Sequence, residues 1–326
     1  MKKYLGMIIT IIIVITLSVL GFVLNGIRLS QLQLDALLIL VIICGSSALY
    51  CFIVGELAHN NSQMDKLWSL LPIAYTWVVA IKGDFNIRLV IYAVLVTIWG
   101  IRLTFNFARK GAYSIKFWTG EEDYRWQVLR QKAPLNKKFT WALFDLFFIS
   151  IYQNALVLAI CFPCLAALGS NVPWGAFDYV ATFAAFGFLM LEVVADAQQW
   201  RFHQTKKKLL AEGKKLEELP EPYNKGFNTT GLWKRSRHPN YLGEQGFWMS
   251  LYFFVLGAGN VSYYFFSWTL IGPLFLIFLF LGSSSFGEGV SNGKYPEYKY
   301  YLAYVSKYVP LRKYDKEKAK LKLENK

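Results

Sequence analysis

Residues 178–200 read D-Y-V-A-T-F-A-A-F-G-F-L-M-L-E-V-V-A-D-A-Q-Q-W, and residues 201–208 continue as R-F-H-Q-T-K-K-K. At 1.5 Å per residue the first stretch is long enough, as a helix, to cross a hydrocarbon core of about 30 Å. It ends in a basic cluster, as a cytoplasmic membrane boundary does. Glu192, Asp196, Gln199 and His203 are spaced i, i+4, i+7 and i+11, so they share one helical face. A spanning helix with a polar stripe at its cytosolic end decides the fold class and marks a first place for chemistry.

Composition extends this reading to the whole chain. Of 326 residues, 55% are AVILMFWYC and 17% are charged, and mean hydropathy is +0.32. A soluble domain averages about 25% charged residues. Disorder is excluded and an ordinary cytosolic enzyme disfavoured. The expected fold is an all-α polytopic membrane helix bundle of about eight transmembrane helices. The expected spans are 4–24, 36–55, 67–82, 88–107, 140–168, 178–200, 245–258 and 263–282. The first begins as a signal peptide would, with Lys2 and Lys3, but no small-x-small cleavage site follows, so an uncleaved helix is expected.

The chain carries 35 Lys+Arg against 21 Asp+Glu, a net charge of +14. Basic residues concentrate in 108–139, in 201–244 and after 282, whereas Arg28, Lys82 and Arg88 fall in the segments on the opposite side. This asymmetry predicts that both basic loops and both termini are cytoplasmic. The membrane would be a bacterial cytoplasmic membrane or the endoplasmic reticulum. The charged tail 312–326 suits a solvated anchor at an anionic leaflet. The four cysteines sit in apolar runs without disulfide-scaffold spacing, and the C-F-P-C at 161–164 lacks the electropositive setting of a reactive thiolate.

A second candidate stretch is Gly231–Glu244, G-L-W-K-R-S-R-H-P-N-Y-L-G-E. Pro239 suits a first helical turn, where its missing N–H costs little. Asn240 and Glu244 then lie i, i+4. Arg235, Arg237 and His238 stand just before the helix, where phosphates are attracted. Acids and amides that can bind ribose hydroxyls and a carboxamide, beside cations that can bind phosphates, suit a nucleotide. The blander alternatives are a helix end paired with its loops and a positive-inside loop. In the spans, Asp145 and Tyr152 share a face of 140–168, and Arg102 and Asn106 share one of 88–107; structural pairing, such as Arg102 with Asp145, is the simpler role for each.

The Gly231–Glu244 string resembles the signature of the steroid 5-alpha-reductase-like membrane proteins, in the branch known as DUF1295. Asn61–Trp68 (N-S-Q-M-D-K-L-W) is similar to that branch's early Asp-x-x-Trp element. W-G-I-R-L at 99–103, E-D-Y-R-W at 122–126, and the closing segment with Glu288 and K-Y-P-E-Y at 294–298 also fit. The resemblance covers about 60–311 of a single membrane domain, 1–326, leaving 1–60 and the 312–326 tail outside it. It implies an NADPH-dependent reductase of a carbon–carbon double bond conjugated to a carbonyl, in a steroid, prenol or other lipid. By the same resemblance the cofactor would lie on Glu192, Asp196, Gln199, Arg201, Arg235, Arg237, His238, Asn240, Tyr241, Glu244, Glu288, Lys294, Tyr295 and Tyr298. Glu192 stands where the steroid enzymes have an Asn. The carbonyl-polarising Glu and Tyr of those enzymes would be found among Glu56, Asp65 and Tyr92.

Hydride delivery to an enone builds charge on the carbonyl oxygen, which a Tyr or a protonated acid must stabilise. The alternative enzyme is an S-adenosylmethionine-dependent membrane methyltransferase of the isoprenylcysteine or phospholipid type, which shares an R-H-P-x-Y-x-G string but usually closes on a Glu-Glu pair; here Glu288 is followed by Gly289. A transporter would be expected to show inverted repeats, and none is visible. Neither G-x-G-x-x-G after a strand nor a P-loop occurs, and His59, His203 and His238 lack zinc-site spacing, so no metal is expected. The expected partners are a lipid-like substrate and the bilayer, with no nucleic acid and no protein partner inferable.

Overall fold

The computed structural model describes residues 26–259 and 267–324, with isolated positions 12, 16, 19, 20 and 23. The expected first span, 4–24, therefore lies largely outside the described residues, as does the beginning of 263–282. In chain order the helices are α1 (Gln31–Ala58), α2 (Gln63–Leu67), α3 (Leu71–Lys82), α4 (Ile87–Ala108), α5 (Tyr124–Arg130) and α6 (Lys138–Ala167). They continue as α7 (Ala176–Ala211), α8 (Pro239–Leu251), α9 (Phe253–Gly257), α10 (Ile271–Lys294), α11 (Tyr298–Tyr304) and α12 (Lys316–Glu324). Among the described residues there is no strand, and one isolated parallel bridge joins Ser236 and Ser306. Among the described residues, five helices are long and apolar enough to cross a membrane: α1, α4, α6, α7 and the segment Trp268–Lys294 that contains α10. That is the character of a multi-pass membrane protein. α3 is apolar but short, and the expected span 245–258 is divided between α8 and α9.

The chain divides into two compact units, residues 1–183 with 248–276, and residues 184–247 with 277–326. In the first unit α1 starts on a capping box: Ser30 Oγ accepts from the Gln33 N–H, and the Gln33 side chain accepts from the Ser30 N–H. The Gln33 amide then donates towards the carbonyls of Leu165, Ala166 and Leu168, the orphaned acceptors at the end of α6. α6 is not uniform. Residues Asp145–Tyr152 form a π-helical stretch, and the helix breaks again before Phe162.

The first unit's buried ion pair joins the starts of two helices. Arg88 Nε donates to Asp178 Oδ1 at 2.6 Å, and Nη2 to Oδ2 at 2.9 Å. Arg88 also donates to the carbonyls of Val172, Pro173 and Gly257 and to Ser170 Oγ. Both charged side chains are almost wholly out of water, and such a pair persists only when its remaining donors are satisfied. Nearby aromatic packing includes Tyr92 on Phe254 and Trp99 edge-on to Trp248 at 5.0 Å between centroids.

The second unit has an aromatic core of Phe227, Tyr298, Tyr301, Val305 and Tyr314. Tyr301 Oη donates to the Trp233 carbonyl, and Trp233 Nε1 donates to the Ala195 carbonyl on α7 at 3.0 Å. The loop before α8 is thus fixed on both sides.

Candidate functional site on the second unit

Helices α7 and α8 touch because α8 carries glycine where they cross. A Cβ added to Gly243 would stand 2.4 Å from Glu192 Cγ and 2.9 Å from the Phe188 carbonyl oxygen; one on Gly246 would meet the Phe188 ring at 2.3 Å. The close approach brings together two of the sequence pairs. Asn240 Nδ2 donates to Asp196 Oδ1 at 3.2 Å, and Glu192 lies against the turn that carries Gly243 and Glu244. Glu192 and Glu244 are buried. Four of the expected site residues therefore line one helix crossing.

The preceding loop is positioned by the same helix. Leu232 N–H donates to Gln198 Oε1 at 2.9 Å. Gly231 has φ +56, and a Cβ there would fall 2.4 Å from Gln198 Oε1, so both conformation and space call for glycine. The S-R-H run is then held against residues 306–307: Arg237 N–H donates to the Ser306 carbonyl and His238 N–H to the Lys307 carbonyl, each at 3.0 Å.

Those backbone bonds present a charged cluster. Arg237 Nε donates to Glu288 Oε1 at 2.8 Å, and its Nη1 donates to the carbonyls of Leu302 and Val305. His238 Nε2 meets the same Glu288 oxygen at 2.9 Å, and Lys307 Nζ stands 3.8 Å from Glu288 Oε2. Burial holds the His238 imidazole below its ordinary value of 6.5, against the opposite pull of Glu288. The neutral ring is then Nε2-protonated and donates to Glu288. Burial also lowers Lys307. The His238 ring stacks on Tyr241, which packs on Phe280.

Other expected residues do not join these clusters. Gln199 and His203 form a pair at 3.1 Å on α7, with His203 exposed. Arg201, Arg235 and Lys294 are exposed. Tyr298 lies in the aromatic core, and Tyr295 Oη accepts from Lys206 Nζ at 3.2 Å. Lys307 carries no signal in the sequence because it lies outside both the G-L-W-K-R and K-Y-P-E-Y strings.

In the first unit, Asn60–Lys66 proves to be a clamp on the loop 112–126. Lys66 Nζ donates to the carbonyls of Phe117 and Thr119, both at 2.6 Å; Asn60 and Gln63 donate to those of Gly120 and Trp118. Asp65 accepts from Trp126 Nε1 at 2.8 Å and pairs with Arg125, while burial pushes its carboxyl above the usual range. Glu56 is half-buried near the end of α1. Tyr92 is buried, and its hydroxyl has no hydrogen-bond partner among the described residues. Its neighbours Cys161 and Cys164 lie far along α6 from Asp145, which Glu56 faces. Sixteen residues of helix rise about 24 Å, so Tyr92 does not converge with Glu56. Among the described residues no group of three or more His, Cys, Asp or Glu is clustered to hold a metal.

A model of the family described as "Protein of unknown function (DUF1295)" matches residues 51–307. The chain is also similar to an uncharacterized protein of Schizosaccharomyces pombe, with 35% identity over 280 residues, 80% of this chain and 78% of that one. No solved structure matches. The matched range takes in the Asn60–Lys66 clamp, the α7–α8 crossing and the Arg237–His238–Glu288 cluster, and the chain belongs to the DUF1295 family.

Proposed function

We propose that the protein is a membrane oxidoreductase that binds NADPH on its second unit and reduces a carbon–carbon double bond conjugated to a carbonyl in a steroid, prenol or other lipid. The α7–α8 crossing carries this reading. Acidic and amide side chains from facing helices meet there, one turn from the Arg237 and Lys307 cations and the neutral His238 ring. Polar groups at membrane depth are costly unless they serve a ligand or each other.

The residues fit such a cofactor. Asn240 Oδ1 and Gln199 Oε1 are buried side-chain atoms with no hydrogen-bond partner among the described residues, two acceptors suited to a carboxamide NH2 and ribose hydroxyls. Glu192 and Asp196 add carboxylate acceptors. Arg235, which is exposed, and Lys307, which donates to Ser285 Oγ at 2.9 Å, suit phosphate oxygens. Bound NADPH would supply the hydride. On the first unit, Asp65 is committed to Trp126 and Arg125, whereas the Tyr92 hydroxyl has no hydrogen-bond partner among the described residues.

The test is thermal unfolding of the detergent-purified full chain with NADPH, NADH or S-adenosylmethionine. One site at 100 times the dissociation constant adds about 2.7 kcal/mol. NADPH stabilisation that weakens at least tenfold in Asn240→Ala is expected. Stabilisation by S-adenosylmethionine alone would overturn the reductase reading in favour of a methyltransferase. The basic loops are proposed to face the cytoplasm, on the charge asymmetry already described.

A further inference from the structure

The charged tail after Arg312 folds back onto the second unit. Tyr314 is its point of entry. Its ring is buried in the aromatic core, edge-on to Tyr301 at 5.5 Å between centroids, with Lys225 Nζ 5.9 Å from its centre. Asp315 then opens α12, its carbonyl accepting from the Ala319 N–H and its side chain from the Lys318 N–H, both at 3.1 Å. Lys316, Ala319 and Lys322 are spaced i, i+3 and i+6, so they share one face. Lys316 pairs with Glu297, Ala319 is wholly buried, and Lys322 Nζ donates to the Ala303 carbonyl at 2.6 Å. That carbonyl is one of the acceptors left open by the last turn of α11. Leu321, on the other face, is 58% exposed. A helix of 9 residues is marginal in water by itself, so α12 depends on this docking.

The docked tail reaches the loop that carries the proposed phosphate ligands. Tyr314 N–H donates to the Lys234 carbonyl at 2.7 Å. Lys234 ends the 3-10 turn Gly231–Lys234 and stands one residue before the exposed Arg235. Tyr301 Oη holds the preceding Trp233 carbonyl, and Arg237 is fixed through the carbonyls of Leu302 and Val305. Trp233, Lys234 and Arg237 are thus gripped in succession, the first and last from residues 301–305 and the middle one from the tail. Residues 301–305 fall inside the family match, whereas Tyr314 lies beyond its end at 307. Arg235 emerges between the grips on Lys234 and Arg237, so both set its direction. Tyr314 acts through its ring and its backbone N–H: its hydroxyl is buried with no hydrogen-bond partner among the described residues.

We infer that the tail is a strap that positions the cofactor loop: Tyr314 seats Lys234, and α12 keeps Tyr314 seated. The inference rests on the proposed cofactor site for the ligand that the strap serves. A loop already held in its binding conformation loses less entropy when the ligand arrives. Tyr314 is therefore a positioning residue for Arg235, and it raises affinity through the Lys234 backbone.

The test uses full-length variants in detergent, read by hydrogen exchange of the peptide 231–238 and by NADPH titration. Tyr314→Ala removes the ring, and Ala319→Glu forces a larger, charged side chain into the contact between α11 and α12. Each should speed exchange in 231–238 by about tenfold or more and weaken NADPH by about fivefold or more. Exchange in α1, on the first unit, should not change. Tyr314→Phe keeps the ring and loses only the unpartnered hydroxyl, so both readouts should stay at the wild-type value. Leu321→Glu adds the same charge on the outer face of α12 and should also leave both unchanged. Should Tyr314→Ala fail to fold, Ala319→Glu decides. The strap is overturned if Ala319→Glu leaves exchange in 231–238 at the wild-type rate, or if exchange rises while NADPH affinity of the folded protein holds. It is equally overturned if Leu321→Glu does as much damage, or if Tyr314→Phe reproduces Tyr314→Ala. A wild-type chain that binds no NADPH would remove the proposed function, and the exchange data would still decide whether the tail holds the loop.

Discussion

Gly243→Ala probes the helix crossing on which the functional reading rests. The added methyl would stand 2.4 Å from Glu192 Cγ, 2.9 Å from the Phe188 carbonyl oxygen and 3.1 Å from the Glu192 nitrogen. The Glu192 side chain can rotate, but two of the three obstacles are backbone, so α8 must draw away from α7. Overpacking of this kind costs about 1–3 kcal/mol. Alanine's helix preference over glycine returns roughly 0.8–1.0 kcal/mol. The net expectation is a loss of about 1 kcal/mol, a fall in Tm of about 2–4 °C. The same retreat stretches the 3.2 Å Asn240–Asp196 bond, so NADPH affinity should fall more than stability does. Gly187→Ala is the control: it lies on the same α7, and its new Cβ meets nothing within 4 Å. It should gain most of alanine's helix preference and leave NADPH binding intact. The measurement is Tm and NADPH titration on both variants in one detergent. If Gly243→Ala behaves like Gly187→Ala in both, the tight crossing is not what positions the site.

Arg88→Met removes one member of the buried pair with Asp178 and strands the other, which should cost about 3–5 kcal/mol; the double change with Asp178→Asn should recover part of it, read by Tm. Stability should fall as pH drops below about 6.5, because unfolded chains protonate their histidines there while the buried His238 imidazole, held below that value, stays neutral. Above 6.5 the contribution is complete, it is lost progressively down to the lowered value, and His238→Gln should flatten this part of a Tm-versus-pH curve. Cysteines placed at Lys132, Lys214 and Lys322 should all be labelled from one side of sealed vesicles; labelling of any one from the other side breaks the orientation drawn from the basic loops.

Much of the fold is legible in the sequence because membrane helices are local objects. An apolar run of sufficient length declares itself, and the expected 88–107 and 178–200 lie inside α4 and α7. Pro239 begins α8 as its ring predicts. The interruptions are not legible. The stretch 140–168 reads as one apolar segment, yet its register changes at Asp145, whose unusual turn faces Gly55 and Asn61 from an element some ninety residues earlier. A π turn is a response to such partners, and hydropathy does not encode it.

The site divides in the same way. The i, i+4 spacings on α7 and α8 can be read directly, and the structure sets Asn240 against Asp196 as facing helices allow. Their meeting depends on Gly243, a residue that looks passive in sequence and matters only because another backbone passes within 3 Å of it. Asp65 shows the converse. Its acidity at a membrane boundary suggests catalysis, but its carboxylate is occupied by Trp126 and Arg125, sixty residues away along the chain. Arg88 and Asp178, ninety residues apart, likewise carry no mutual signal. In the sequence Arg88 counts only towards orientation, and the pairing gives it a second role that charge counting cannot supply. For this chain, residue type and short-range spacing identify which side chains are costly to bury. Only the long-range packing decides which of them have that cost met by a neighbour, and the groups left over, Tyr92 Oη and Asn240 Oδ1, are where ligands should be sought first.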